Sequence, residues 1–314
     1  MIKKLDIEKQ AFDDQIKTRI AHGHIPDLRN VIRCEYFENN IWRDPYLVKL
    51  CYGEQFNMIK NSICNQLSKE ISILEVGTGP GFMALELARN GFDVTGIDIS
   101  EENIKIAKKF SFNDQSISER SLLEYVCIDF FEMKGKYDVL LFRGSLHHLE
   151  NNNRTINQIL NLLNTNGLLI LLEPDINRIT DTNSNFALII KTLLSFINKY
   201  HKRIEIPFSF ASFDSLLNEI TLNSKHQLND GTNEQSVMDN ELDFYDIYSI
   251  LLKKFYQIEK KDMYAFWPKI VGGIRCEKRE EEYELADFIK SFDEFLCHKK
   301  IASPYFTYFV GKKI

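Results

Sequence analysis

The residues best suited to chemistry lie where Ile73-Leu74-Glu75-Val76 runs into Gly77-Thr78-Gly79-Pro80-Gly81-Phe82. The apolar run is long enough for a buried strand and too short for a helix. Glycines at alternate positions let a backbone approach a ligand without Cβ clashes and aim free N–H groups at it. An apolar periodic segment follows (Phe82, Leu85, Leu87, Ala88) and closes at Asn90-Gly91. Val94-Thr95-Gly96-Ile97-Asp98 predicts a second strand ending in a carboxylate, 21 residues after Gly77. A carboxylate at that tip lies where a ribose is held, its two oxygens facing two sugar hydroxyls. Further along, His147 and His148 follow a fourth apolar run, and Glu173 and Asp175 follow a fifth. Histidine is the side chain whose ordinary pKa suits proton transfer near neutrality.

Positioning these groups requires alternating strands and helices. Residues 1–68 predict a helical cap, with Phe12, Ile16 and Ile20 on one face of a helix that Gly23 and Pro26 end. A second short helix is expected from Pro26, carrying Leu28, Val31 and Ile32. Asp44-Pro45 predicts a third start, Asp as cap and Pro in the first turn. Between them, residues 36–43 form an aromatic loop whose Trp42 is a candidate substrate contact. Residues 69–175 alternate strand and helix, which implies a parallel sheet. Its third strand is Tyr125–Ile128, its fourth Tyr137–Phe142 and its fifth Gly167–Leu172. Residues 176–240 form an insertion, with an apolar helix from Phe186 to Ile197, then Phe208, Phe210 and Phe213, then a polar stretch over 223–240. An insertion at the catalytic edge is a candidate lid, with Phe208 toward the substrate, or a contact in a homodimer. Residues 241–314 complete the sheet with strands at 256–264 and 305–311. A second insertion between them carries the charged run 277–284, expected as a solvated helix face.

Composition narrows the classes. The chain has 314 residues, 44% hydrophobic and 27% charged, with a net charge of −6. That is ordinary for a globular protein and argues against a nucleic-acid partner, which clustered Lys and Arg would hold. Six scattered cysteines without a C-x-x-C pair fit a reducing, cytoplasmic setting and no zinc site. No metal centre is expected from His147, His148 and Glu150, which lack a third ligand at a convincing spacing. No apolar run reaches the length of a membrane span.

The glycine spacing G-x-G-x-G, together with Glu75, Asp98 and Asp129-Phe130, resembles class I S-adenosylmethionine (SAM)-dependent methyltransferases. The resemblance covers roughly residues 71–175, and the tail Leu146-His147-His148-Leu149 resembles the ubiquinone/menaquinone-biosynthesis-like subgroup. It implies an α/β, Rossmann-like seven-stranded sheet with helices on both faces and an antiparallel last strand, here with a helical cap and an insertion after strand five. It further implies that Glu75, Gly77, Thr78, Gly79 and Gly81 form the turn at the methionine end of SAM. Asp98 and Ile99 would meet the ribose, Asp129 and Phe130 the adenine, and the main chain near Phe142 and Arg143 the methionine amine. The product would be S-adenosylhomocysteine (SAH), and the acceptor a small molecule methylated on O or N. His147 and His148 are the candidate bases, and Glu173 a candidate substrate contact.

Arg143-Gly144-Ser145-Leu146 stands where methyltransferases of adenine or glutamine amino groups carry a D/N-P-P-Y/F motif, so that class is disfavoured. A protein or RNA acceptor stays open as an alternative. So does a nicotinamide-dependent oxidoreductase, against which glycine spacing and Asp129 speak, and so does a non-catalytic SAM-binding protein.

Overall fold

Seven strands form one sheet. β1 (Ser72–Val76), β2 (Asp93–Asp98), β3 (Leu123–Cys127), β4 (Tyr137–Arg143) and β5 (Leu163–Pro174) are parallel, in the order β3-β2-β1-β4-β5. β6 (Phe255–Met263) and β7 (Phe306–Lys313) complete the order as β5-β7-β6, with β7 antiparallel to both neighbours. The computed structural model describes residues 4–67, 70–149, 152–203, 209–224, 236, 238 and 244–314. Phe208 and most of the polar stretch 223–240 lie outside the described residues.

β4 and β5 carry unbroken buried apolar runs, Val139–Phe142 and Leu168–Leu172, because both faces of the sheet are covered there, whereas the edge strand β6 is rich in charged residues. Ile73, Val139, Leu141, Ile170 and Val310 point into one core. Their neighbours Leu74, Leu140, Phe142, Leu169 and Phe309 point into the other. The second core is closed by α6 (Asn152–Leu162) and α9 (Phe244–Lys254), through Ile156, Ile159, Ile247 and Leu251. On the first face lie α3 (Glu54–Gln66), α4 (Phe82–Arg89) and α5 (Glu101–Ser111), together with α7 (Asp181–Phe196) and α10 (Arg279–His298). The expected fold is the one observed.

The cap begins with α1 (Lys4–Ala21). It lies on the start of α5, where the Asp13 carboxylate accepts from the Ser100 hydroxyl and from Glu102 N–H at 3.2 Å. The Lys9 ammonium meets Glu101 at 2.6 Å. The helix expected from Pro26 does not form. Asp27 Oδ1 accepts from the N–H groups of Arg29 (2.8 Å) and Asn30 (3.3 Å), turning the chain back before a helical turn can close. Asp44 does start a helix, accepting from Tyr46 N–H at 2.8 Å. That helix is α2 (Pro45–Val48), which runs through a π turn, Lys49–Gly53, into α3. The insertion contains a helix beyond the expected one, α8 (Phe210–Ser224), beside α7.

The charged run before and into α10 is solvated with one exception, which corrects the expectation for it. Glu282 is buried and meets the buried Arg43 at 3.0 Å. Arg43 also donates to the carbonyls of Gly272 (2.7 Å) and Ile274 (2.9 Å), so one guanidinium ties the cap to the second insertion. Among the described residues no helix is long and apolar enough to cross a membrane.

Candidate active site

The tips of all five parallel strands open on one cavity of about 480 Å³. Its floor is the glycine turn after β1. Gly77, Gly79 and Gly81 all have positive φ (69°, 54° and 82°), a region that side chains disfavour. Each also has a separate spatial reason. A Cβ on Gly77 would come within 2.5 Å of Ser145 Cβ, and one on Gly81 within 2.7 Å of Ala107 Cβ. At Gly79 no atom lies within 4 Å of that point, so the space belongs to the cavity. Glu75 braces the turn from below, accepting from the Thr78 hydroxyl at 2.7 Å. Burial pushes the Glu75 carboxyl up to about 7, against the opposing effect of that hydroxyl.

Asp98, at the tip of β2, lines the cavity beside Ile99. Its Oδ2 accepts from Gly79 N–H and its Oδ1 from Ser100 N–H, both at 2.8 Å. Burial raises its carboxyl to about 6, although both N–H groups favour the charged form. Each oxygen keeps a lone pair for a further donor. Beyond β3, Asp129 caps the turn Phe130–Glu132 by accepting from Phe131 N–H at 2.7 Å, and Asp129 and Phe130 form the far wall.

β4 delivers Ser145, His147 and His148. His147 Nδ1 lies 2.8 Å from Glu173 Oε2. Glu173 Oε1 accepts from the N–H groups of Ser145 (3.0 Å) and Leu146 (3.1 Å). With both oxygens engaged and 1% exposure, Glu173 lines neither cavity, which corrects its reading as a substrate contact. It positions His147 instead. His148 Nδ1 lies 2.9 Å from Glu8 Oε1 on α1, and its ring meets Phe12 edge-on at 5.4 Å. Asp175 caps the turn after β5, accepting from Asn177 N–H at 3.1 Å.

The roof is α1, through Leu5, Glu8, Phe12, Gln15, Ile16 and Arg19. Burial lowers the pKa of Arg19, and no carboxylate forms an ion pair with it among the described residues. Sequence reading overlooked Arg19 because helical periodicity identifies an apolar face and says nothing of what a flanking cation overlooks.

A second cavity, of about 640 Å³, adjoins the first. Gly144 and Pro174 line both. The Arg143 side chain belongs to this second wall and is absent from the first, so only its main chain remains for the role expected of it. Phe142 is fully buried against Phe130 and likewise offers only main chain. Trp42 lines neither cavity, contrary to expectation. It packs edge-on to Phe82 and His24, because a ring with so much apolar area is best satisfied in the core. Glu75, Thr78 and Gly81 support the turn without lining the cavity. Gly77, Gly79, Asp98, Ile99, Asp129, Phe130, His147 and His148 all line it together.

An open α/β sheet with a glycine turn and an acid at successive strand tips defines a nucleotide-cofactor-binding protein. The family model described as a methyltransferase domain matches residues 59–224, more than half of the chain. The chain belongs to this family, the class I SAM-dependent methyltransferases, whose cofactor is SAM. It is similar to the ubiquinone biosynthesis O-methyltransferase of Rickettsia canadensis, 28% identical over 137 residues, 43% of this chain and 55% of that protein. The corresponding enzyme of Pelagibacter ubique is 26% identical over 176 residues, 54% of this chain and 64% of that protein. The chain therefore spans less than two thirds of the length of either relative. A protein-lysine N-methyltransferase of Saccharomyces cerevisiae is 27% identical over 158 residues, 48% of this chain and 68% of that protein. Among solved structures, magnesium protoporphyrin IX methyltransferase from Synechocystis with bound SAH has a TM-score of 0.53 at 12% identity. That match covers 99% of this chain and 100% of the other, and it is a likeness of fold.

Proposed function

We propose that this chain transfers a methyl group from SAM to an oxygen or nitrogen of a small molecule. The observation that carries the reading is the pair of cavities sharing Gly144 and Pro174, one beside the glycine turn and one, a half-open recess, lined by residues of the cap and both insertions. A recess of about 640 Å³ suits a small acceptor, whereas a macromolecular acceptor would call for an open surface.

The donor set of the first cavity fits SAM: carboxylates at Asp98 and Asp129, an open main chain at Gly79, and a cation at Arg19. Asp98 accepts from the ribose hydroxyls, and Asp129 with Phe130 holds the adenine. The N–H groups of the glycine turn and the Arg19 guanidinium hold the methionine carboxylate. When bound, SAM supplies a methyl on a positively charged sulfur, which becomes a neutral thioether once an acceptor lone pair takes the methyl. The chain's part is to hold acceptor and donor in line, which accounts for much of the rate in such reactions. Where the acceptor atom carries a proton, His147 takes it. The Glu173 carboxylate accepts from Nδ1–H, which leaves Nε2 as the basic nitrogen. His148, tied to Glu8 and Phe12, serves instead to hold α1 over the cavity.

The test is to incubate the protein with methyl-labelled SAM and a cell extract of its source, then separate small solutes from macromolecules by ultrafiltration. Label is expected in the small-solute fraction, and reduced about 100-fold by His147→Ala for a hydroxyl acceptor. Label confined to protein or RNA would overturn the small-molecule reading.

A further inference from the structure

The second cavity is cationic. Arg143, Lys191 and Lys269 lie on its wall, and none of the described residues lining it is an Asp or Glu. Arg143 is held in place. Its Nε donates to Gln55 Oε1 at 2.9 Å, and its guanidinium carbon lies 4.6 Å from the ring centre of Tyr52 and 4.8 Å from that of Phe82. Gln55 is itself buried at 2% exposure and contacts the Tyr264 hydroxyl at 3.5 Å. Neither Arg143 nor Lys191 forms an ion pair with a carboxylate among the described residues. Burial lowers the Lys191 pKa, opposed only by Glu219, which acts from beyond hydrogen-bonding distance. Two cations on one cavity wall, neither ion-paired among the described residues, offer charge that a bound anion would neutralise. Tyr52, Tyr264 and Tyr305 supply flat walls with polar rims. At the boundary with the first cavity, Gly144 has φ of 62°, and no atom stands within 4 Å of where its Cβ would lie.

We infer that the second cavity holds a methyl acceptor that is an anion, a carboxylate or phosphate monoester on a flat ring. Arg143 and Lys191 clamp the charged end, and the reacting atom faces Gly144. This rests on the methyl-transfer reading above. The planar guanidinium of Arg143 suits either group through paired N–H donors, and the Lys191 ammonium adds a point charge.

The test is calorimetric titration of the SAH-loaded protein with 4-hydroxybenzoate, phenyl phosphate and the neutral 4-hydroxybenzamide and phenol. At least one anion is expected to bind in the millimolar range or tighter, about tenfold more tightly than its neutral counterpart. Carboxylate binding without phosphate binding, or the reverse, identifies the anionic group. Arg143→Gln and Lys191→Gln should each weaken that anion about tenfold, with SAH affinity kept within a factor of two as the control for folding. Equal binding of anion and neutral analogue, no binding of either anion, or unchanged anion affinity in both variants would overturn the inference. Repeating the titrations without SAH separates the two readings. Anion binding by a protein that never binds SAH would retain the cationic site and reject the cofactor assignment, and SAH binding without anion binding would do the reverse.

Discussion

Asp98 carries the sharpest expectation at the scale of single residues. Its carboxyl is raised from 3.8 to about 6 by burial, so the folded protein binds this proton more tightly than the unfolded chain does. Its contribution to stability is therefore fully present below pH 3.8 and is lost as pH rises toward 6, ~3 kcal/mol in all. Cofactor affinity runs the opposite way, because only the ionised carboxylate accepts from both sugar hydroxyls. SAH affinity should fall about tenfold per pH unit below 6 and level off above it, and Asp98→Asn should flatten that dependence. A wild-type affinity constant from pH 5 to 8 would reject the ribose assignment. Many of the residues that line the first cavity were legible beforehand, because strand tips in a parallel sheet converge on one edge and the glycine spacing marks which edge. Glu173 was misjudged because nothing in the sequence tells that three neighbouring donors, two of them backbone N–H groups, would occupy its oxygens. Trp42 was misjudged for a related reason: an aromatic loop reads the same whether it lines a pocket or fills a core.

At the scale of elements, two attachments decide how the cap sits. α1 reaches α5 through Asp13, which binds the Ser100 hydroxyl and the Glu102 N–H. Asp13→Ala should leave the sheet intact, speed amide exchange along α1 and raise the SAH dissociation rate several-fold. Unchanged exchange in α1 would mean that its apolar face alone secures it. The other attachment is Arg43 with Glu282, a buried pair that joins elements 239 residues apart in sequence. Removing one partner strands the other charge out of water, so Glu282→Gln should cost about 3 kcal/mol in urea unfolding. A loss below about 1 kcal/mol would show that water reaches the site. Neither attachment could be read from the chain, since charge patterns report local helix faces and these pairs are made across the fold. The short helix expected after Pro26 failed for a local reason, the Asp27 side chain capturing two backbone donors, a contest that apolar periodicity does not register.

For the whole molecule, the parallel strands follow from the alternation of apolar runs and helices, and the antiparallel β7 between β5 and β6 matches what the family resemblance implied for the two late strands. The central strands were legible because strands buried on both faces must be apolar along their length. The cavities were less so. Their walls draw on the cap, the strand tips and both insertions, and enclosure is a property of how those parts meet. The central claim is that the first cavity is built for SAM. The measurement that tests it most directly is calorimetric titration of the purified protein with SAH, SAM and NAD, on the wild type and on Asp98→Ala. Micromolar binding of both sulfur nucleotides, none of NAD, and a loss of 1–3 kcal/mol in the variant is the expected result. Binding of NAD in place of SAH, or SAH affinity untouched by Asp98→Ala, would contradict it.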